Sequence, residues 1–99
     1  MNVLKAKIAY LGYIRHIVGK KEEEINLEEG LTVQDLLVLL GRKYGGRFRN
    51  SIQISDDKLR SSVIVLINGR NINQIDGLNT KLIGEVEVQI VVMSPLGGG

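Results

Sequence analysis

Residues 31–46, "LTVQDLLVLLGRKYGG", predict one amphipathic helix over Val33–Tyr44 that packs on a sheet. Thr32 can accept a hydrogen bond from the backbone N–H of Asp35, and the Asp35 carboxylate can reach back to this cap and favour the positive end of the helix dipole. Two glycines follow Tyr44 and supply a stop. The apolar residues at helical spacing are Val33, Leu36, Leu37, Leu40 and Tyr44.

Two strand patterns precede the helix. Residues 3–11 alternate between apolar and polar side chains, which is the period of a strand with one wet face. Residues 23–27 form a short second strand, and "GYIRHIVGKK" (12–21) between the two has glycines that act as breakers. We therefore predict a hairpin with a long loop before the helix.

Two further strand patterns follow the helix. In "SVIVLINGRNI" (62–72), an apolar β-branched run ends at Asn68-Gly69, a pair that suits a tight turn because both residues tolerate positive φ. The last strand is "EVEVQIVV" (85–92). Residues 45–62 show no regular pattern, so we predict only a turn at 56–57 there. Three apolar residues of this segment are possible anchors: Phe48, Ile52 and Ile54.

The order of these elements is strand, strand, helix, strand and strand within 99 residues. It predicts an α+β domain of the ubiquitin-like β-grasp type, a mixed sheet crossed by one main helix. A ferredoxin-like domain is the rival, but it requires a second helix that the pattern does not show. We place the β-grasp domain at residues 1–93 and a C-terminal tail at 94–99.

The composition excludes several functional classes. With 43% hydrophobic and 24% charged residues the chain is an ordinary globular domain. Its lack of cysteine excludes disulfides, thiolate nucleophiles and the usual zinc sites. No apolar run approaches the roughly 18 residues of a membrane span, and the N-terminal residues do not resemble a signal peptide. We therefore expect a cytoplasmic protein with no membrane partner and no bound metal or cofactor.

Three other groups of residues have candidate chemical roles. His16 is the only histidine and has no obvious nucleophile partner, so we expect a surface or partly buried structural residue. Glu22, Glu23 and Glu24 alternate between the two faces of a strand, so they predict a solvated strand start and no metal site. The stretch "GRKYGGRFR" (41–49) mixes basic and aromatic residues, as single-stranded nucleic acid sites do. Since the net charge is only +2, we expect a solvated or partner-facing patch and no nucleic-acid partner.

The chain ends in "SPLGGG" (94–99). A carboxylate becomes an acyl donor once ATP converts it to an acyl-adenylate, and a terminal glycine leaves that acyl carbon unhindered. Glycines before it let the backbone pass through a narrow channel into a partner's active site. The sequence therefore predicts either an arm with a reactive terminus or, alternatively, a frayed end without function.

Five stretches resemble the ubiquitin-like sulfur carriers, and most closely the small subunit of molybdopterin synthase, the MoaD type. Their order and spacing span nearly the whole chain, although His16 stands where that type usually has an acidic residue. The same resemblance leaves open the carriers for thiazole or tRNA thiolation and the small archaeal protein modifiers. The five stretches are "YIRHIVG" (13–19), "LTVQDLLVLL" (31–40), "VLINGRNI" (65–72), "EVEVQIVV" (85–92) and "SPLGGG" (94–99).

This resemblance implies a carrier and not an enzyme. An adenylating enzyme of the ubiquitin-activating type would use ATP to form Gly99-AMP, and sulfur transfer would then give a Gly99 thiocarboxylate. The molybdopterin synthase large subunit would receive the tail, while a protein modifier would instead form isopeptide bonds through Gly99. The tail follows directly from the last strand, so a partner that takes up the glycines must also cover the sheet beside that strand's end. We therefore predict partner contacts at Gly98, Gly97, Leu96, Pro95 and Met93, with Val91 as a further candidate.

Overall fold

The structure is a computed structural model that describes residues 2–55 and 57–93. In these residues a mixed five-stranded sheet has the strand order β2-β1-β7-β5-β6, and β3 pairs with β4 in a separate ribbon. The strands are β1 (Val3–Gly12), β2 (Glu22–Glu28), β3 (Gln53–Ser55), β4 (Lys58–Leu59), β5 (Val63–Ile67), β6 (Arg70–Asn71) and β7 (Val86–Val92). The helices are α1 (Ile14–Val18), α2 (Val33–Tyr44) and α3 (Gly46–Ile52), and two short 3-10 turns lie at Ile72–Gln74 and Gly77–Asn79.

The first and last strands of the sheet lie side by side at its centre. β1 and β7 run parallel, from Ala6 opposite Val86 to Gly12 opposite Val92. β2 pairs antiparallel with β1, and β5 pairs antiparallel with β7. The α+β prediction of a ubiquitin-like β-grasp domain, with a mixed sheet and one main helix packed on it, is therefore confirmed.

The predicted helix is confirmed at both ends. The Thr32 side chain accepts a hydrogen bond from the Asp35 amide at 3.1 Å, and the Asp35 carboxylate accepts one from the Thr32 amide at 3.0 Å. This capping box satisfies two amides that the first turn would otherwise leave unpaired. The residues of α2 that are buried against the sheet include Val33, Leu36, Leu37 and Leu40.

Gly41 breaks the helix-forming pattern of α2, and the structure shows why it is there. A Cβ built at Gly41 would lie 2.7 Å from Cγ of Arg49, which is closer than carbon atoms pack. The missing side chain therefore leaves room for the stem of Arg49, so that α3 can pack against the last turn of α2.

The core is aliphatic and follows the predicted alternation of the strands. In β1 and β7 every second residue is buried, and Asn68 and Gly69 form the predicted tight turn after β5 with φ values of 50° and 86°. The buried residues of these two strands are Leu4, Ala6, Ile8, Tyr10, Val86, Val88, Ile90 and Val92.

Two short helices replace segments predicted as irregular. The loop after β1 contains α1, whose Ile14 and Val18 are buried, and Gly19 caps it in the left-handed conformation. The stretch after α2 contains α3, which buries the predicted anchors Phe48 and Ile52. These segments were missed because each helix spans only two turns or fewer, and glycines that act as caps were interpreted as breakers.

The third predicted anchor was wrong. Ile54 is 59% exposed because it lies on the β3–β4 ribbon, away from the main sheet. The predicted turn at 56–57 falls in part on Asp56, which lies outside the described residues, while Asp57 is in a turn.

Candidate functional site

The end of β7 is the point from which the tail sequence continues. The Val92 carbonyl accepts a hydrogen bond from the Tyr13 amide at 2.8 Å, and the Met93 amide donates to the Ser62 carbonyl at 3.1 Å. Gly12 lies so close to Val92 that an added Cβ would be 2.3 Å from its carbonyl oxygen. The last two residues before the tail are thus held from both sides, and we call this point the tail root.

The predicted site residues fall on both sides of this boundary. Met93 is the last described residue and is 49% exposed, and its partner-binding role stays a prediction. The remaining predicted residues lie outside the described ones, so their roles stay predictions: Gly99, Gly98, Gly97, Leu96 and Pro95.

An apolar patch lies on the outer face of the sheet beside the tail root. Leu11, Val91 and Ile64 are neighbours across three adjacent strands, and Leu66 follows on β5. Each of the four follows a buried residue in its strand, so these side chains point away from the core, and each remains partly exposed. We call these four residues the outer patch. Apolar surface of this kind is suited to protein docking.

The other end of the outer face is charged. Lys7 forms an ion pair with Glu22 at 3.1 Å, and the register places Lys7 between Glu24 and Glu87 on the neighbouring strands. Both partners of the ion pair are about half exposed, so the pair contributes little to stability. The outer face of the sheet is therefore apolar at the end near the tail root and charged at the opposite end.

Glu23 is the centre of a polar network that the sequence did not predict. Its carboxylate accepts hydrogen bonds from Tyr10 Oη at 2.6 Å, from Lys43 Nζ at 2.7 Å and from Tyr44 Oη. Lys20 Nζ lies 3.5 Å away, and the Glu23 side chain is only 11% exposed. The prediction that all three glutamates form a solvated strand start was therefore wrong for Glu23. The available signal was Tyr10, which lies on the buried face of β1 and needs a partner for its hydroxyl.

The network sets the charge of its members. Burial acts to raise the pKa of Glu23, but the hydrogen bonds from Lys43, Tyr10 and Tyr44 outweigh it and lower this pKa to about 2. Burial, followed by the bond to Glu23, raises the pKa of Tyr10 above its usual range. At neutral pH Glu23 is thus ionised and Tyr10 keeps the proton it donates. The network joins β1, β2 and the end of α2.

The described residues contain no group of three or more His, Asp or Glu side chains that could hold a metal ion. No helix in this part of the chain is long and apolar enough to cross a membrane. His16 is exposed and contacts Tyr13 ring to ring, with 5.9 Å between centroids, as expected for a surface histidine.

A mixed sheet with its first and last strands parallel at the centre and one main helix packed on it defines the class of ubiquitin-like β-grasp proteins. The ThiS family model matches residues 8–99, so the chain belongs to the ThiS family, which groups ubiquitin-like sulfur carriers and modifiers. Members of this family are small carrier proteins and not enzymes themselves.

Individual relatives support the same class. The chain is 29% identical over 96 residues to small archaeal modifier protein 3 of Haloferax volcanii, covering 97% of this chain and 100% of that protein. The solution structure of small archaeal modifier protein 1 from Methanosarcina acetivorans is 27% identical, with a TM-score of 0.76 and full coverage of both chains. The structure of Urm1 from Trypanosoma brucei shares the fold, with a TM-score of 0.79, 16% identity, and coverage of 100% of this chain and 99% of that one.

Proposed function

We propose that this chain is a sulfur carrier whose C-terminal Gly99 is adenylated and converted to a thiocarboxylate, which donates sulfur in molybdopterin biosynthesis as the small subunit of molybdopterin synthase. The observation that carries the proposal is the tail root. The central strand of the sheet ends in two backbone hydrogen bonds, at Val92 and Met93, and the sequence continues from there as "SPLGGG" (94–99). Family membership and the stretches that resemble the MoaD type support it.

The chemistry assigns this chain the role of a reactant. In the first step a Gly99 carboxylate oxygen attacks the α-phosphorus of ATP, and pyrophosphate leaves. In the second step sulfide attacks the acyl carbon and AMP leaves, so that one carboxylate oxygen departs with AMP and sulfur takes its place. The adenylating enzyme supplies the ATP site, and the described residues supply the docking surface and the fixed tail root.

The mass of the chain tests this proposal. After incubation with an activating enzyme of the ubiquitin-activating type, ATP and sulfide, we expect a gain of about 16 Da, since sulfur replaces oxygen at the acyl group. A variant that lacks Gly98 and Gly99 is the matched control and should keep its mass. If the mass of the intact chain does not change although the activating enzyme is shown to be active, the proposal is wrong.

The molybdopterin assignment has its own test. The thiocarboxylated chain is mixed with the large subunit of molybdopterin synthase and the pterin precursor, and both the product and the return of the chain to its original mass are measured. Sulfur transfer to the precursor supports the assignment. A stable thiocarboxylate under these conditions argues instead for a thiazole or tRNA thiolation carrier.

A second candidate is a protein modifier that forms isopeptide bonds through Gly99. The relative from Haloferax volcanii, 29% identical over 97% of this chain and named as a modifier protein, favours it. The same acyl-adenylate can react with a lysine ε-amine in place of sulfide. Immunoblots of host lysate with ATP distinguish the two: a ladder of bands resistant to reducing agents indicates modification, and a single band at the free mass indicates a dedicated carrier.

A further inference from the structure

Two segments of the chain carry positive charge without any acidic residue. Residues 10–21 and 36–55 contain no Asp or Glu. Each segment contains one lysine that is paired, Lys20 and Lys43, and both of these bind Glu23. The basic residues of the two segments are Arg15, Lys20, Lys21, Arg42, Lys43, Arg47 and Arg49.

The fold brings these segments together at the end of the sheet that holds the tail root. α1 starts at Ile14, two residues after Gly12, which lies against Val92, and α3 packs on both α1 and α2. Arg60 joins them because its guanidinium donates to the Asn50 carbonyl of α3 and it lies three residues before Val63, the partner of Val92 in the sheet. We call the exposed, basic residues without an ion pair at this end the basic collar: Arg15, Lys21, Arg42, Arg47, Arg49 and Arg60.

The charge of the collar is not neutralised within the described residues. None of its six side chains has an Asp or Glu oxygen within ion-pair distance in residues 2–55 and 57–93, and all six residues are exposed. Five of the six are arginines, whose planar guanidinium can bind a carboxylate with two parallel hydrogen bonds. The net charge of the chain is only +2, so its exposed positive charge is concentrated at this end. A surface of this kind attracts an anionic partner.

We infer that the basic collar docks on an acidic rim around the channel of the enzyme that takes up the tail. This inference rests on the proposed function, because it assigns the collar to the partner that activates Gly99. The collar, Met93 and the outer patch all lie at the end of the sheet that holds the tail root, and protein interfaces combine an apolar centre with a polar, charged rim. Charge pairs at the rim accelerate association and orient the tail toward the channel.

The aromatic residues argue against single-stranded nucleic acid as the occupant. Such sites stack bases on exposed aromatic rings. Phe48 is 1% exposed, and the half-buried Tyr44 ring lies against Phe48 and has Lys43 Nζ 5.4 Å from its centroid. The basic segment therefore presents guanidinium groups without a stacking platform.

Charge reversal tests the inference with a matched control. The variant Arg42→Glu/Arg47→Glu changes the collar by four charges, and Lys5→Glu/Lys81→Glu makes the same change with exposed lysines at the other end of the sheet. We expect the collar variant to associate with the activating enzyme at least about tenfold more slowly at low salt, and the difference to shrink in about 0.5 M salt. The control should stay within about twofold of the wild type. A second collar pair, Lys21→Glu/Arg47→Glu, is measured alongside in case the change at the end of α2 lowers stability.

The outcomes separate the collar from the proposed function. If the wild type forms the thiocarboxylate and both collar variants associate as fast as the wild type, the collar inference is wrong and the carrier proposal stands. If the collar and control variants both associate with the enzyme more slowly by the same factor, net charge alone explains the effect, and the inference is also overturned. If the wild type forms no thiocarboxylate with an active enzyme, the proposed function and the inference fail together. Binding of total transfer RNA is measured by gel shift. If the wild type and the control bind RNA, the collar variants do not, and all of them associate equally fast with the enzyme, the collar binds RNA and the inference is overturned.

Discussion

Gly12 lies against the carbonyl group of Val92, and a Cβ at Gly12 would be 2.3 Å from the carbonyl oxygen. That oxygen also accepts the hydrogen bond from Tyr13, so strand β1 turns into α1 around the last residue of β7. The contact therefore fixes the end of the central parallel pair of strands, the point from which the tail sequence continues.

Replacing Gly12 with alanine should therefore lower the free energy of unfolding by more than backbone strain alone would. Gly12 and Gly19 both have φ of +81°, but a Cβ at Gly19 would meet nothing within 4 Å. We expect Gly19→Ala to lower the free energy of unfolding by about 1 kcal/mol through backbone strain, and Gly12→Ala to lower it by about 3 kcal/mol through strain and the clash with Val92. Urea denaturation of both variants measures the difference. Equal losses would show that β7 shifts to accommodate the methyl group and that the tail root is not rigid.

Glu23 should make stability depend on pH in the acid range. Its pKa in the folded protein is about 2, below the usual value of about 4.3, so the folded state favours the charged form. The resulting stability is fully present above about pH 5 and is lost as the pH falls toward 2, and a difference of about two pKa units corresponds to about 3 kcal/mol. Urea denaturation at pH 7 and at about pH 3 measures the part of this loss that occurs above the folded pKa, about 2 kcal/mol.

Glu23→Gln is the variant that isolates this contribution. The amide keeps one acceptor oxygen but loses the charge that Lys43 and Lys20 pair with, so we expect a loss of about 2 kcal/mol at pH 7 and a flatter acid profile. Glu24→Gln on the exposed face of β2 is the matched control and should behave like the wild type. Acid profiles of the same slope for all three proteins would mean that other carboxylates cause the acid sensitivity.

The sequence predicted the parts of the fold that depend on periodicity and capping. The helix at Val33–Tyr44 and the turn at Asn68-Gly69 were confirmed because local chemistry determines them: a capping box in the first case, positive φ in the second. α1 and α3 were missed because a helix of five or seven residues has too few turns for a periodic signal and is stabilised by burial of two side chains.

The candidate site was predictable only in its linear part. Met93 follows the last strand in sequence, so its exposure near the tail could be expected from the strand pattern alone. The outer patch required the strand order, because Leu11, Val91 and Ile64 become neighbours only when β7 lies between β1 and β5. The Glu23 network likewise depends on the fold. Tyr10 and Tyr44 are separated from Glu23 by 13 and 21 positions in the sequence, so no local pattern predicts that they meet.

The last prediction concerns the apolar side chains next to the tail root. A partner that takes up Gly97–Gly99 must also cover the sheet beside the end of β7, so Met93 and Leu96 should act as anchors in that interface. We expect Leu96→Asp and Met93→Asp each to weaken binding to the activating enzyme or to the large subunit by more than about 1.4 kcal/mol, tenfold in affinity, without unfolding the domain. Ile83→Asp is the matched control, because Ile83 is 63% exposed and lies before the opposite end of β7.

Deletion of Gly98 and Gly99 should abolish thiocarboxylate formation and leave much of the docking affinity. Titration calorimetry on these variants decides the matter: if the aspartates at 93 and 96 bind like the wild type, or if Ile83→Asp weakens binding equally, the partner does not dock on the apolar surface at the tail root.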